Sequence, residues 1–195
     1  MSKYLKVDYV NLGLQFQNLE QEITDKFVEI SSKGSYVLGE ELKDFEELFS
    51  EYCGTSYAVG VGNGSDAIFF SLLALGIGNG DEVITTPNSF IATAWTIINI
   101  GAKPVFVDIG DDYNIDPNKI ESAITSNTKA IIPVHLTGKI SKMDEILEIS
   151  KKHNLYVIED SAQAVGATLD DKKAGSFGIT GCFSLHPLKN LHVHG

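Results

Sequence analysis

From residue 57 to residue 185, short apolar runs that read as strands alternate with stretches of helical spacing, and this alternation restricts the fold more than any other feature of the chain. The strand-like runs are Tyr57 to Val61, Glu82 to Thr86, Pro104 to Val107, Ala130 to Val134, Tyr156 to Ile158 and Gly181 to Leu185. Among them, Asp66 to Leu75, Ala92 to Asn99, Pro117 to Ala123 and Met143 to His153 have helical spacing, and Gly76, Gly101 and Asn154 stand where three of these helices should stop. Such an order predicts an α/β fold, a mainly parallel sheet covered by helices. Residues 1–38 differ: Leu19 to Ser31 predicts an amphipathic helix, followed by the turn Ser32-Lys-Gly-Ser-Tyr, and a further helix is expected from about Glu40 to Tyr52. We therefore expect an N-terminal arm and helix over 1–38 and one large domain over 39–195.

Charge narrows the partners. Lys and Arg total 15 against 26 Asp and Glu, a formal charge of -11, which disfavours a general attraction to nucleic acid or anionic lipid. Any phosphate must be held by a local device. Cys53 and Cys182 stand far apart, with no CxxC pattern and no pair of histidines beside them, which argues against a zinc site and a disulfide scaffold and fits the cytoplasm. The start, Met1 to Asp8, has no apolar signal core, and no run approaches the ~18 apolar residues of a membrane span.

Three places could carry chemistry. In Val61-Gly-Asn-Gly-Ser-Asp-Ala a strand runs through a Gly-rich turn into a helix near Ser65, so the N–H groups of a helix start, with Gly64 allowing close approach, suit a phosphate. A Gly-Asn-Gly turn with a serine cap also occurs in βα loops that bind nothing. In Tyr156-Val-Ile-Glu-Asp-Ser-Ala-Gln acidic residues end a buried strand, where ligands collect and a carboxylate needs a positive partner; Asp160 could equally cap the next element. In Cys182-Phe-Ser-Leu-His-Pro-Leu-Lys-Asn-Leu a strand leads into a loop carrying Ser184, His186 and Lys189. A lysine beside an aldehyde can form an imine, although most lysines are simply solvated. His186, His192 and His194 lie at a chain end without acidic or cysteine partners, and we expect no metal there.

Five blocks, Gly34-Ser-Tyr-Val-Leu-Gly, Gly62-Asn-Gly-Ser-Asp-Ala, Ser89-Phe-Ile-Ala-Thr-Ala, Glu159-Asp-Ser-Ala-Gln and Ser184-Leu-His-Pro-Leu-Lys-Asn-Leu, together resemble the DegT/DnrJ/EryC1/StrS family of sugar aminotransferases, which are fold-type I pyridoxal-phosphate (PLP) enzymes. Val7-Asp-Tyr-Val-Asn-Leu resembles the family's start, so the similarity covers nearly the whole chain. The resemblance implies a three-layer large domain in which Gly64, Ser65 and Ser184 bind the cofactor phosphate. It places Phe90 on the pyridine face, Asp160 at the ring nitrogen, Gln163 near the ring hydroxyl and Lys189 in covalent attachment. Taken alone, Phe90 would read as core. Relatives with His at the lysine position act as dehydratases, and Lys189 favours transamination. His135, in Pro133-Val-His-Leu-Thr-Gly, reads as structural, and Thr137 departs from the family's usual tyrosine.

The implied activity is transfer of an amino group from L-glutamate to a keto group of a nucleotide-linked sugar, in cell-surface polysaccharide or amino-sugar biosynthesis, by a homodimer when full length. Two readings stay beside it: a PLP enzyme of another reaction type, such as a sulfur amino-acid lyase, and a catalytically inactive fragment. In fold-type I enzymes an antiparallel strand follows the lysine and lies between the strands mapped here to Tyr57 to Val61 and Gly181 to Leu185. That strand and the small C-terminal domain would fall beyond Gly195, so the 195-residue chain alone is expected to be poorly soluble and inactive.

Overall fold

The computed structural model describes residues 7–193, and His194 lies outside them. Residues up to Phe45 and residues from Glu46 onward form two compact units.

In the first unit, α1 (Leu12–Lys33) is longer than the apolar spacing alone suggested. Asn11 starts it early, its side chain accepting from the Leu14 N–H at 3.0 Å, and Gly34, at φ 67°, ends it in the left-handed conformation that glycine adopts without strain. α2 (Glu40–Cys53) begins in this unit with Glu40 and Glu41 in its first turn, where the helix dipole favours negative charge.

The second unit continues with α3 (Gly64–Ala74), β1 (Glu82–Thr85), α4 (Ala92–Asn99), β2 (Lys103–Phe106), α5 (Pro117–Ala123) and β3 (Thr128–Ile132). A single 3-10 turn (Leu136–Gly138), α6 (Met143–His153), β4 (Tyr156–Asp160), the short pair β5 (Thr168–Leu169) and β6 (Lys172–Lys173), and β7 (Thr180–Cys182) follow. Five strands pair in the order β2-β1-β3-β4-β7, all parallel.

Successive strand residues point to opposite faces, and both faces are covered. Val83, Ile132 and Ile158 pack in one apolar cluster with Ile68 and Leu72 of α3 and Ile97 of α4. Their neighbours Ile84, Ile131 and Val157 pack in a second with Ile120 of α5 and Met143 and Ile146 of α6. This is the expected three-layer α/β fold. The chain steps from β1 to β2 on one side and continues through β3, β4 and β7 on the other, so the sheet reverses its winding at β1, the kind of place where open α/β sheets bind ligands.

The expected strand over Tyr57 to Val61 is not one. A strand exists through its ladder partner, and no described residue pairs with this segment: the Gly60 N–H donates to Glu46 Oε1 (2.6 Å) and the Tyr57 carbonyl accepts from the Thr55 hydroxyl (3.1 Å). The hairpin β5–β6 was not anticipated. Its turn, Asp170-Asp171, has φ of 47° and 63°, the two left-handed residues that a two-residue hairpin requires.

Candidate active site

The residues singled out in the sequence gather at the carboxyl ends of β1, β4 and β7 and at the start of α3. At α3 the cap is Asn63 rather than Ser65: its backbone is extended and its Oδ1 accepts from the Asp66 N–H at 2.9 Å. The helix therefore begins at Gly64, with Ser65 in its first turn. A Cβ on Gly64 would lie 2.9 Å from Ser184 Cβ and 3.1 Å from the Phe183 carbonyl oxygen. Only glycine lets the helix start lie directly against Ser184 after β7, which unites two of the predicted phosphate-binding segments.

Asp160 ends β4 and is 6% exposed. Its backbone is fixed by the β3 extension, with its N–H donating to the Pro133 carbonyl (2.9 Å) and its carbonyl accepting from the His135 N–H (3.0 Å). The carboxylate accepts from Thr93 Oγ1 at 2.7 Å and from the Ala162 N–H at 3.2 Å. Burial pushes its pKa above the ordinary aspartate value, opposed first by the Thr93 hydroxyl and the Ala162 N–H and then by charge at His135 and Lys189. Asp160 is thus held by the sheet in an environment that resists its ionisation; its bond from the Ala162 N–H is the capping contact of the alternative reading, and Thr93 adds a second donor.

Lys189 lies in the loop after β7, its N–H donating to the His186 carbonyl at 2.8 Å, and it is half-buried. Gln163 follows β4. Its Oε1 accepts from the Thr137 N–H at 2.8 Å, and since a backbone N–H can face only an oxygen, the side-chain NH2 is left to point elsewhere. Thr137 makes this contact from a left-handed backbone (φ 54°, ψ 23°), uncommon for a β-branched residue. Phe90 sits in the loop between β1 and α4 and is 74% exposed, so the core reading does not hold. Its carbonyl lies 3.3 Å from Thr93 Oγ1, which links its loop to Asp160.

His135 is buried as expected of a structural histidine. Its Nε2 lies 2.8 Å from Glu159 Oε2, and its Nδ1 accepts from the Ser141 N–H at 3.2 Å. Cys182 also stays out of the chemistry: burial pushes its thiol up to about 12, so it remains protonated. Sequence reasoning missed Thr93. The signal available was a hydroxyl four residues after Ser89, on the helix that begins at the end of β1. Among the described residues no helix is long and apolar enough to cross a membrane, and no cluster of His, Cys, Asp and Glu could hold a metal ion.

The model of the DegT/DnrJ/EryC1/StrS aminotransferase family matches residues 17–195. A pleiotropic regulatory protein of Geobacillus stearothermophilus is 45% identical over 98% of the chain and 52% of its own length. The UDP-N-acetyl-3-dehydro-alpha-D-glucosamine 3-aminotransferase of Acidithiobacillus ferrooxidans is 43% identical over 100% of the chain and 53% of its own length. The crystal structure of NtdA from Bacillus subtilis with bound cofactor PMP superimposes with a TM-score of 0.93 at 37% identity, covering 100% of this chain and 44% of that one. The chain spans about half the length of the curated relatives it matches. By its sequence and its three-layer fold, the chain belongs to the DegT/DnrJ/EryC1/StrS aminotransferase family.

Proposed function

We propose that the protein is a PLP-dependent aminotransferase that moves an amino group from L-glutamate to a keto group of a nucleotide-linked sugar, as a cytoplasmic homodimer serving amino-sugar or cell-surface polysaccharide synthesis. The observation that carries this reading is Asp160: a buried carboxylate on a strand end, held by neutral donors and reached by the charge of Lys189. A buried carboxylate calls for a cationic partner, and a protonated pyridine nitrogen is one that a cofactor can bring. The glycine-lined helix start against Ser184 fits the other end of the same group. Named sugar aminotransferases among the relatives support the substrate class.

When bound, PLP supplies an electron sink that delocalises the electron pair left as a proton leaves the amine-bearing carbon. The N–H groups of Gly64 and Ser65 and the hydroxyls of Ser65 and Ser184 would bind the phosphate. Phe90 would cover a face of the ring. Asp160 would hold a proton on the ring nitrogen, and Gln163, whose oxygen is taken by the Thr137 N–H, would have its NH2 available for the ring hydroxyl. Lys189 would hold the cofactor covalently, and its free amine would be the group available to carry a proton at the reacting centre.

The test is a glutamate-dependent amination assay on the full protein with nucleotide-linked keto sugars, monitored with cofactor absorbance. Elimination from a sulfur amino acid, with no pyridoxamine form appearing under glutamate, would replace this reading by the lyase alternative.

A further inference from the structure

Thr93, in the first turn of α4, is 1% exposed. Its Oγ1 lies 2.7 Å from Asp160 Oδ2, 2.7 Å from Ser89 Oγ and 3.3 Å from the Phe90 carbonyl. A hydroxyl has one proton to donate, and an ionised carboxylate can only accept. The Thr93 proton therefore goes to Asp160 at 2.7 Å rather than to the Phe90 carbonyl at 3.3 Å, and Ser89 donates to Thr93 in turn. The result is a one-way chain of donors, from half-buried Ser89 through buried Thr93 to Asp160. Each bond in such a chain polarises the next, and donation to a carboxylate favours its charged form.

We propose that Thr93, with Ser89 behind it, is a positioning residue that keeps the Asp160 carboxyl ionised and fixes its direction for a cationic ligand. The consequence for catalysis rests on the reading of Asp160 given above; the hydrogen-bond chain does not. The other groups facing this carboxyl are the Ala162 N–H on Oδ1, His135 at the end of the β3 extension, Lys189 after β7, the protonated Cys182 thiol opposite it on β7, and Glu159 beside it in β4. Among the described residues no other side chain hydrogen-bonds the Asp160 carboxyl. The Thr93 hydroxyl is the strongest of the influences that oppose the effect of burial on it.

The experiment compares Thr93→Val, Thr93→Ser and Ser89→Ala in the full protein. Valine keeps the shape of threonine and removes the donor, serine keeps the donor, and Ser89→Ala, in a half-buried loop, leaves the helix intact should Thr93→Val fail to fold. The first readout is the 13C titration of the Asp160 carboxyl in cofactor-free protein. It should move upward in Thr93→Val, upward by less in Ser89→Ala, and stay in place in Thr93→Ser. The second readout is the glutamate half-reaction of the loaded enzyme, which should slow about tenfold in Thr93→Val with the donor KM little changed. An unmoved titration in Thr93→Val overturns the proposal, as does a Thr93→Ser variant that shifts as far as valine, because methyl packing would then be what matters. An unmoved titration in Ser89→Ala overturns the part assigned to Ser89. Because the titration needs no cofactor, its failure is distinct from failure of the cofactor reading, which would appear as a full protein that takes up no PLP.

Discussion

His135 Nε2 and Glu159 Oε2 lie 2.8 Å apart, and neither side chain reaches solvent. Glu159 is satisfied on every side: Oε1 accepts from the N–H groups of Phe177 and Gly178, both at 2.7 Å, and Oε2 from the Gly175 N–H, also at 2.7 Å, in addition to His135. One carboxylate thus ties the loop before β7 to the ends of β3 and β4, immediately beside Asp160.

Glu159→Gln keeps the shape and should still be strongly destabilising. Either placement of the new NH2 group turns it toward a backbone N–H, a donor against a donor, and no change of the His135 ring relieves this. The expected cost is about 3 kcal/mol, read in thermal unfolding as a Tm lower by roughly 6–12 °C. A Tm within a degree or two of the parent would show that Glu159 is not the tie described.

Much of this was legible in the sequence, for physical reasons that also mark where legibility stopped. α4, α5 and α6 have the expected bounds, because apolar spacing and the stop residues Gly101 and Asn154 are local signals. Tyr57 to Val61 failed because pairing is not local: its apolar residues satisfy the pattern of a strand, but no described neighbour completes it. The Glu159 tie and the Thr93 hydroxyl could not be read off, since each joins residues far apart in the chain, Thr93 and Asp160 by 67 positions. Phe90 shows the reverse case. An aromatic beside an apolar helix looks like core, and only its exposure shows that it is not.

Asp160→Asn should act in opposite directions on chemistry and on the cofactor-free fold. The amino-transfer half-reaction should slow by at least about 100-fold, because a neutral partner no longer stabilises a ring cation. The folded-state pKa of Asp160 is raised by burial, so its contribution to stability is fully present below the unfolded value and is lost as pH rises through the folded one. Asparagine does not titrate, and it can accept from the Ala162 N–H while donating to Thr93 Oγ1. Cofactor-free Asp160→Asn should therefore gain stability on the parent as pH rises from about 4, the ordinary aspartate value, toward neutrality. Melting curves across that range measure it, and a gap that closes with rising pH would contradict the burial argument.

Gly64→Ala should weaken cofactor binding far more than it weakens the fold. The added methyl meets Ser184 Cβ at 2.9 Å and the Phe183 carbonyl oxygen at 3.1 Å, so α3 and the loop after β7 must move apart. Alanine also favours the helix itself by up to about 1 kcal/mol, which offsets part of that strain. The expected outcome is a Kd for PLP raised about tenfold or more, from the loss of well-placed charge-assisted hydrogen bonds, with a Tm within a few degrees of the parent. Unchanged affinity in an absorbance titration would separate Gly64 from the phosphate.

Lys189 should be the residue that borohydride reduction leaves carrying the cofactor in the full protein. Lys139 and Lys173 are the alternatives, and their surroundings differ from those of Lys189. Lys173 Nζ lies 3.3 Å from the centroid of the Tyr52 ring, a cation–π contact that holds its charge in place. Lys139 follows the 3-10 turn on an exposed stretch, its carbonyl accepting from Asn114 Nδ2 at 2.9 Å. Lys189 is half-buried, its charge reaches Asp160, and among the described residues its amine has no carboxylate partner to release before it reacts. It lies on the loop that follows β7, whose last residue, Cys182, pairs with Asp160 at the end of β4. Peptide mapping after reduction should place the label on Lys189, and Lys189→Ala should take up PLP without the reducible bond while losing glutamate-dependent transfer. Label recovered on Lys139 or Lys173 would remove Lys189 from the chemistry.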